Sequence, residues 1–326
     1  MRPRVGGGRL GRGLQVLAVA VVMVAAGCGL RSASGIVLHA NPGAIRHYES
    51  LEGVRITVAA KDFTEQLILG NMLSIILNAA GADVTNMTNT PGSYGVREAL
   101  LKGEADVAPE YTGTGWISYL GHQHPIRDPI EQWRAVNAQD AANGLTWLPP
   151  APMNNTYALA IRESQAAKLG VTKLSDLAKL DKSELTFCVE SEFANRNDGF
   201  VPALHAYGLT IADLGKVTRL ATGVIYTAIA DGDCNFGDVF TTDGRIVSLH
   251  LRVLADDKGF FPLYNVTEVI NSHLLAEHPE LAEIFAQLNP KLTNDVMSTL
   301  NAKVDKYGKE PALVARDWLI HEGLLS

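Results

Sequence analysis

The sequence predicts an α/β protein of two lobes around a cleft, and three observations carry that prediction. From Val54 onward, short β-branched runs alternate with amphipathic helical stretches, the pattern of sheets covered by helices. The alternation is interrupted twice: by Pro149, Pro150 and Pro152, and by Asp256-Asp257-Lys258-Gly259 ahead of Pro262. These mark a crossover near 150–156 and a return near 256–262. A folded part of about 270 residues with two crossovers divides into one lobe of 54–153 plus 262–326 and a second of 154–261, with a cleft between them, a usual place for a small ligand.

Taken in order, the chain opens with Arg2, Arg4, Arg9 and Arg12, an apolar run from Leu14 to Ala26, then Gly27 and Cys28. That is the charge, apolar-core and cleavage-site order of a secretory signal over 1–28. The run of about 13 residues is short of the roughly 20 that a bilayer-spanning helix needs, so the segment is expected to be removed. Ala25-Ala26-Gly27-Cys28 resembles a bacterial lipobox, with Cys28 as the acylated residue and the anchor to the cell membrane. The match to Gly-x-Gly-x-x-Gly at Gly6, Gly8 and Gly11 has no strand before it and carries no dinucleotide meaning. Residues 29–53 lack a sustained hydrophobic period and read as a tether.

The folded part then begins with a strand from Val54 to Ala59. Thr64 to Ala80 reads as a helix, with Leu67, Ile68, Met72, Ile75 and Ile76 at helical spacing and Gly81 as its stop signal. Opening with Thr64 and Glu65 directly after a strand, it leaves N–H groups free at a crevice mouth, an end that favours anions. Tyr94 to Lys102 is a short helix, Ala105 to Ala108 a strand, and Asp128 to Asn143 a helix that Gly144 ends. Strands follow at Tyr157 to Ile161, Leu185 to Val189, Val217 to Leu220 and Asn235 to Phe240. Three helices close the chain: His273 to Ala286, Thr293 to Val304 and Pro311 to Glu322.

Composition excludes several classes of function. Removing the four leader arginines takes the formal charge of −7 to −11, which argues against a nucleic-acid partner. No P-loop, Gly-x-Ser-x-Gly elbow, His-Glu-x-x-His or Cys-x-x-Cys motif is present, so neither an enzyme nor a cofactor is expected. His122 and His124 are too few ligands for a metal site. Cys188 and Cys234 are either a disulfide, which an oxidising exterior favours, or two buried thiols.

Five stretches, in order, resemble the glycine betaine, carnitine and choline binding lipoproteins of osmoprotectant ABC importers. They are Lys61-Asp62-Phe63-Thr64-Glu65-Gln66, Pro109-Glu110-Tyr111-Thr112-Gly113-Thr114, Asn154-Asn155-Thr156-Tyr157-Ala158-Leu159, Thr241-Thr242-Asp243-Gly244-Arg245 and Asp256-Asp257-Lys258-Gly259-Phe260-Phe261-Pro262. The resemblance implies a type II periplasmic-binding-protein fold whose lobes close on a small-molecule ligand, with separate permease and ATPase subunits as partners.

It also implies a site. A trimethylammonium head has no N–H to donate and spreads its charge over methyl groups, so aromatic faces hold it best, at about 0.5 to 2 kcal/mol per ring. The family's cage positions fall on Tyr111, Tyr157 and Tyr264, with Phe240 where relatives usually carry Tyr. By the same resemblance Lys61, Thr114 and Arg196 are candidate donors to a ligand carboxylate. By the same resemblance Asn155 stands near the ammonium in the place of an acid. Read as ordinary structure, the aromatics are core, Lys61 salt-bridges at a domain edge, Arg196 pairs with Glu192 or Asp198, and Thr114 satisfies loop backbone. The alternative ligand for the same fold is an amino acid or an uncharged aromatic compound.

Overall fold

The computed structural model describes residues 35–326; the leader and Cys28 lie outside them. Ten strands form, in chain order β1 Arg55–Lys61, β2 Asp83–Thr90, β3 Val107–Tyr111, β4 Leu145–Trp147, β5 Tyr157–Arg162, β6 Thr186–Val189, β7 Lys216–Arg219, β8 Phe236–Phe240, β9 Leu251–Val253 and β10 Val266–Asn271. They make two five-stranded sheets, ordered β2-β1-β3-β10-β4 and β7-β6-β8-β5-β9. In the first sheet β1 runs parallel to β2 and β3, while β10 runs antiparallel to β3 and β4. The second repeats this layout: β6 is parallel to β7 and β8, and β5 is antiparallel to β8 and β9. The fourth strand of each sheet is the one that directly follows a crossing segment, β10 in the first sheet and β5 in the second. The two crossing segments, 148–156 and 254–265, meet at a β-bridge between Asn154 and Asn265.

Why the first helix forms where it does is plain from its burial. Along Thr64–Ala79 the side chains of Ile68, Leu69, Met72, Leu73, Ile75, Ile76 and Leu77 are all buried, because β1 and β2 pack on one side and the helix Pro311–His321 on another. An apolar helix without a polar face belongs in the middle of a lobe. At Gly70 an added Cβ would meet the Ala60 Cβ at 2.5 Å and the Thr88 Cγ2 at 2.6 Å. Only glycine lets the helix sit that close to the sheet.

Two expectations need correction. The segment 29–53 is not a tether throughout. Asn41 and Ser326 exchange backbone hydrogen bonds of 2.8 and 2.9 Å, and Ile45 and Leu51 are fully buried. Two apolar side chains far apart in a polar stretch show no period, yet they suffice to dock the segment on the lobe that carries the first sheet. The helix expected over His273 to Ala286 is two helices, Ser272–Glu277 and Glu280–Leu288, because Pro279 cannot donate an N–H to a continuous helix.

Cys188 and Cys234 are joined by a disulfide, with Cα atoms 5.8 Å apart, tying β6 to the loop before β8. Among the described residues no helix is long and apolar enough to cross a membrane.

Candidate ligand-binding site

The site grows from equivalent strand ends of the two sheets. Lys61 ends β1 and Tyr111 ends β3; across the cleft Phe240 ends β8. The antiparallel strands return to the same edges: Tyr157 opens β5 opposite Phe240, and Tyr264 lies two residues before Val266, which pairs with Tyr111. Strand carboxyl ends facing a crevice are where open α/β sheets place their ligands. A cavity of about 660 Å³ lies there, and its wall includes all eight sequence candidates: Lys61, Tyr111, Thr114, Asn155, Tyr157, Arg196, Phe240 and Tyr264.

The aromatic faces are contiguous. The ring of Tyr157 lies 5.1 Å from Phe240, 5.6 Å and edge-on from Tyr264, and 4.8 Å and stacked on Phe193 behind it. Phe63, on the wall of the same cavity, stacks on Phe240 at 4.9 Å and on Tyr111 at 6.4 Å. Sequence reasoning missed this fifth ring. The signal was present, because Phe63 belongs to the same stretch as Lys61, at the strand-to-helix turn that faces the cleft.

The polar shell is more committed than the sequence implied. Lys61 Nζ donates to Glu110 Oε2 at 2.9 Å, with both side chains buried, and lies 4.9 Å from the centre of the Tyr111 ring. Arg196 holds Asp198 in a fork, Nε to Oδ1 at 2.7 Å and Nη2 to Oδ2 at 2.8 Å. Its Nη1 donates to Glu192 at 3.0 Å and its Nη2 also to Thr114 Oγ1 at 3.4 Å. Four of the five guanidinium N–H groups are therefore occupied by protein. Asp198 in turn accepts the Tyr264 hydroxyl at 2.7 Å, so one carboxylate orients a cage ring and the arginine together.

A second acid is hidden behind the cage. Glu65 accepts from the Tyr111 hydroxyl at 2.7 Å, Asn155 Nδ2 at 2.8 Å, Thr242 Oγ1 at 2.5 Å and Asn301 Nδ2 at 3.2 Å. Burial raises its carboxyl pKa, and the four donors pull it back toward the ionised form. The helix start that was expected to attract an anion thus supplies its own. Asn155, read as the neutral replacement of an acid, is hydrogen-bonded to one. Burial also holds the Tyr111, Tyr157 and Tyr264 phenols well above their ordinary pKa, so they present neutral rings.

These contacts draw the lobes together. Ser93 N–H on one lobe donates to Glu192 on the other at 2.9 Å, and Asn301 Nδ2 donates to the Thr242 carbonyl at 3.0 Å. Arg245, held by Asp243 through two hydrogen bonds of 2.9 and 2.5 Å, reaches Asp305 at 3.5 Å. At Gly244 an added Cβ would meet the Ala302 Cβ at 2.6 Å and its Cα at 2.9 Å. Among the described residues no group of His, Cys, Asp and Glu could hold a metal ion.

Two similar sheets, paired crossovers and an aromatic cavity between strand ends define a solute-binding protein of the periplasmic-binding-protein fold. The comparisons with known proteins are specific. Residues 54–321 match the family model described as the substrate binding domain of ABC-type glycine betaine transport system. A glycine-betaine-binding protein of Pseudomonas aeruginosa is 38% identical over 278 residues, covering 83% of this chain and 88% of that protein. The carnitine transport binding protein OpuCC of Listeria monocytogenes is 31% identical over 268 residues, covering 81% and 85%. Among solved structures, one described as a glycine betaine/carnitine/choline ABC transporter superposes with a TM-score of 0.68 at 30% identity, covering 82% of this chain and 99% of that one. The chain belongs to this family of ABC-importer substrate-binding proteins. It is not an enzyme but an extracytoplasmic receptor that works with permease components.

Proposed function

We propose that the protein captures a quaternary-ammonium osmoprotectant (glycine betaine, choline or carnitine) in the aromatic cleft and delivers it to its importer from a lipid anchor at Cys28. The observation that carries the reading is the convergence of Phe63, Tyr111, Tyr157, Phe240 and Tyr264 on one cavity, with rings from both lobes. Methyl groups bearing spread positive charge are attracted to such faces, and a hydrated ammonium is not stripped of its water as easily. Neutral, buried phenols keep that attraction unchanged across physiological pH. The relatives' names, which include glycine betaine and carnitine, support the same ligand class. The lipobox and the short leader support the anchor.

Titration calorimetry of the purified protein with glycine betaine, choline, carnitine and an uncharged aromatic compound tests the ligand. Saturable heat from at least one of the first three is expected; heat from the uncharged compound alone would contradict the proposal. For the anchor, Cys28→Ala is expected to release the protein from the membrane fraction, and unchanged fractionation would count against lipidation.

A further inference from the structure

Both cations that could take a ligand carboxylate are already neutralised inside the protein. Lys61 is paired with Glu110 at 2.9 Å, and Arg196 is held by Asp198 at 2.7 and 2.8 Å and by Glu192 at 3.0 Å. The third cation on the cavity wall, Arg245, is bound by Asp243 and reaches Asp305. Asp62 and Glu190 also line the wall, and Glu65 stands behind Tyr111 and Asn155. Eight carboxyl groups thus face three cations in and immediately around the cleft. Burial raises the pKa of Glu65, Glu190 and Asp305; even counting those three as neutral, the carboxylates outnumber the cations by two.

We infer that this cleft selects ligands of net positive charge, a monocationic quaternary ammonium carrying a hydroxyl or other neutral tail, over zwitterions that end in a carboxylate. The inference rests on the cage reading and narrows it. A zwitterion's carboxylate would enter a region already rich in negative charge, where Lys61, Arg196 and Arg245 each already face a carboxylate of the protein. A cation such as choline meets the same rings without that opposition, and the surplus of carboxylates adds attraction that a screened surface charge could not.

Calorimetric titration with choline, glycine betaine and 3,3-dimethyl-1-butanol, the neutral carbon isostere of choline, separates the two levels of the argument. Choline is expected to bind tightest, with the betaine and the neutral isostere each weaker by about tenfold or more. Betaine binding as tightly as choline overturns the inference and leaves the cage intact. Neither choline nor betaine binding tighter than the neutral isostere, or no heat from any of the three, overturns the cage reading itself. Glu192→Gln gives an independent check: it keeps an acceptor for Ser93 N–H while removing one of the charges on Arg196. The ratio of choline to betaine affinity is expected to fall by about fivefold. A ratio unchanged in that variant overturns the inference even if choline remains the better ligand.

Discussion

The two lobes present the same sheet layout to the cleft and finish it differently. In each, three parallel strands are followed by an antiparallel strand that arrives across a crossover and then by an edge strand. In each, the third parallel strand ends on an aromatic residue, Tyr111 in one and Phe240 in the other. The difference lies around those rings. Tyr111 is tied through its hydroxyl to buried Glu65. Phe240 has no hydroxyl and is placed by stacking on Phe63 and by its neighbour Tyr157. The lobe of Phe240 carries the disulfide, whereas the lobe of Tyr111 wraps its long apolar helix between sheet and C-terminal helix. The ring of Tyr111 is thus fixed by a polar contact to its own lobe, and that of Phe240 by packing over a covalently stapled sheet.

The largest effect that would break the comparison falls on the staple. Replacing Cys188 and Cys234 by Ser is expected to cost about 2–5 kcal/mol of stability, confined to the second sheet's lobe. Calorimetric unfolding should show that lobe melting first; equal loss in both lobes would refute the asymmetry. Next comes the cage. Tyr157→Ala removes the ring that touches both Phe240 and Tyr264, and affinity for a quaternary ammonium is expected to drop about 30-fold, the equivalent of roughly 2 kcal/mol, as read by calorimetric titration.

A smaller effect concerns two buried acids, one per sheet: Asp238 on β8 and Glu268 on β10, each pushed up to about 7 by burial. Their folded-state pKa lies above the unfolded one. The stability they contribute is full below about pH 4 and is lost as pH rises through about 7. In urea unfolding, Glu268→Gln is expected to gain on the unsubstituted protein by on the order of 1–2 kcal/mol between pH 4.5 and 6. A pH-independent difference would show that Glu268 is ionised in the fold. The smallest effect is Phe240→Tyr, which adds a hydroxyl where stacking already fixes the ring. Affinity should change by less than about threefold, under 0.7 kcal/mol.

Much of this was legible in the sequence because it is local. Alternating runs gave the sheets and helices, Asp128 and Gly144 bounded a helix that the structure caps through the Asp128 side chain and that runs through a 3-10 turn to a left-handed Gly144, and a proline cluster and a charged turn before Pro262 marked the crossovers. The polar strand β2, Asp-Val-Thr-Asn-Met-Thr-Asn-Thr, has no apolar run to announce it and owes its state to pairing with β1 along its whole length. The eight candidate site residues all reach one cavity wall: seven sit at a strand end or within three residues of one, and Arg196 follows the short helix Ser191–Asn195. Their engagement was not legible. The donors to Glu65 lie 46, 90, 177 and 236 residues away in the chain, and Lys61 meets Glu110 across 49. No spacing rule connects residues so far apart in the chain that only the folded arrangement brings together.

The central claim is that the ligand's methyl groups rest on aromatic faces from both lobes. Proton NMR of methyl-labelled choline bound to the protein tests it most directly, because ring currents displace protons held over a ring face. The account predicts a trimethylammonium resonance shifted well upfield on binding, with the shift reduced in Tyr111→Leu and in Phe240→Leu alike. A bound resonance at the free position, or a shift that only one lobe's substitution reduces, would contradict it.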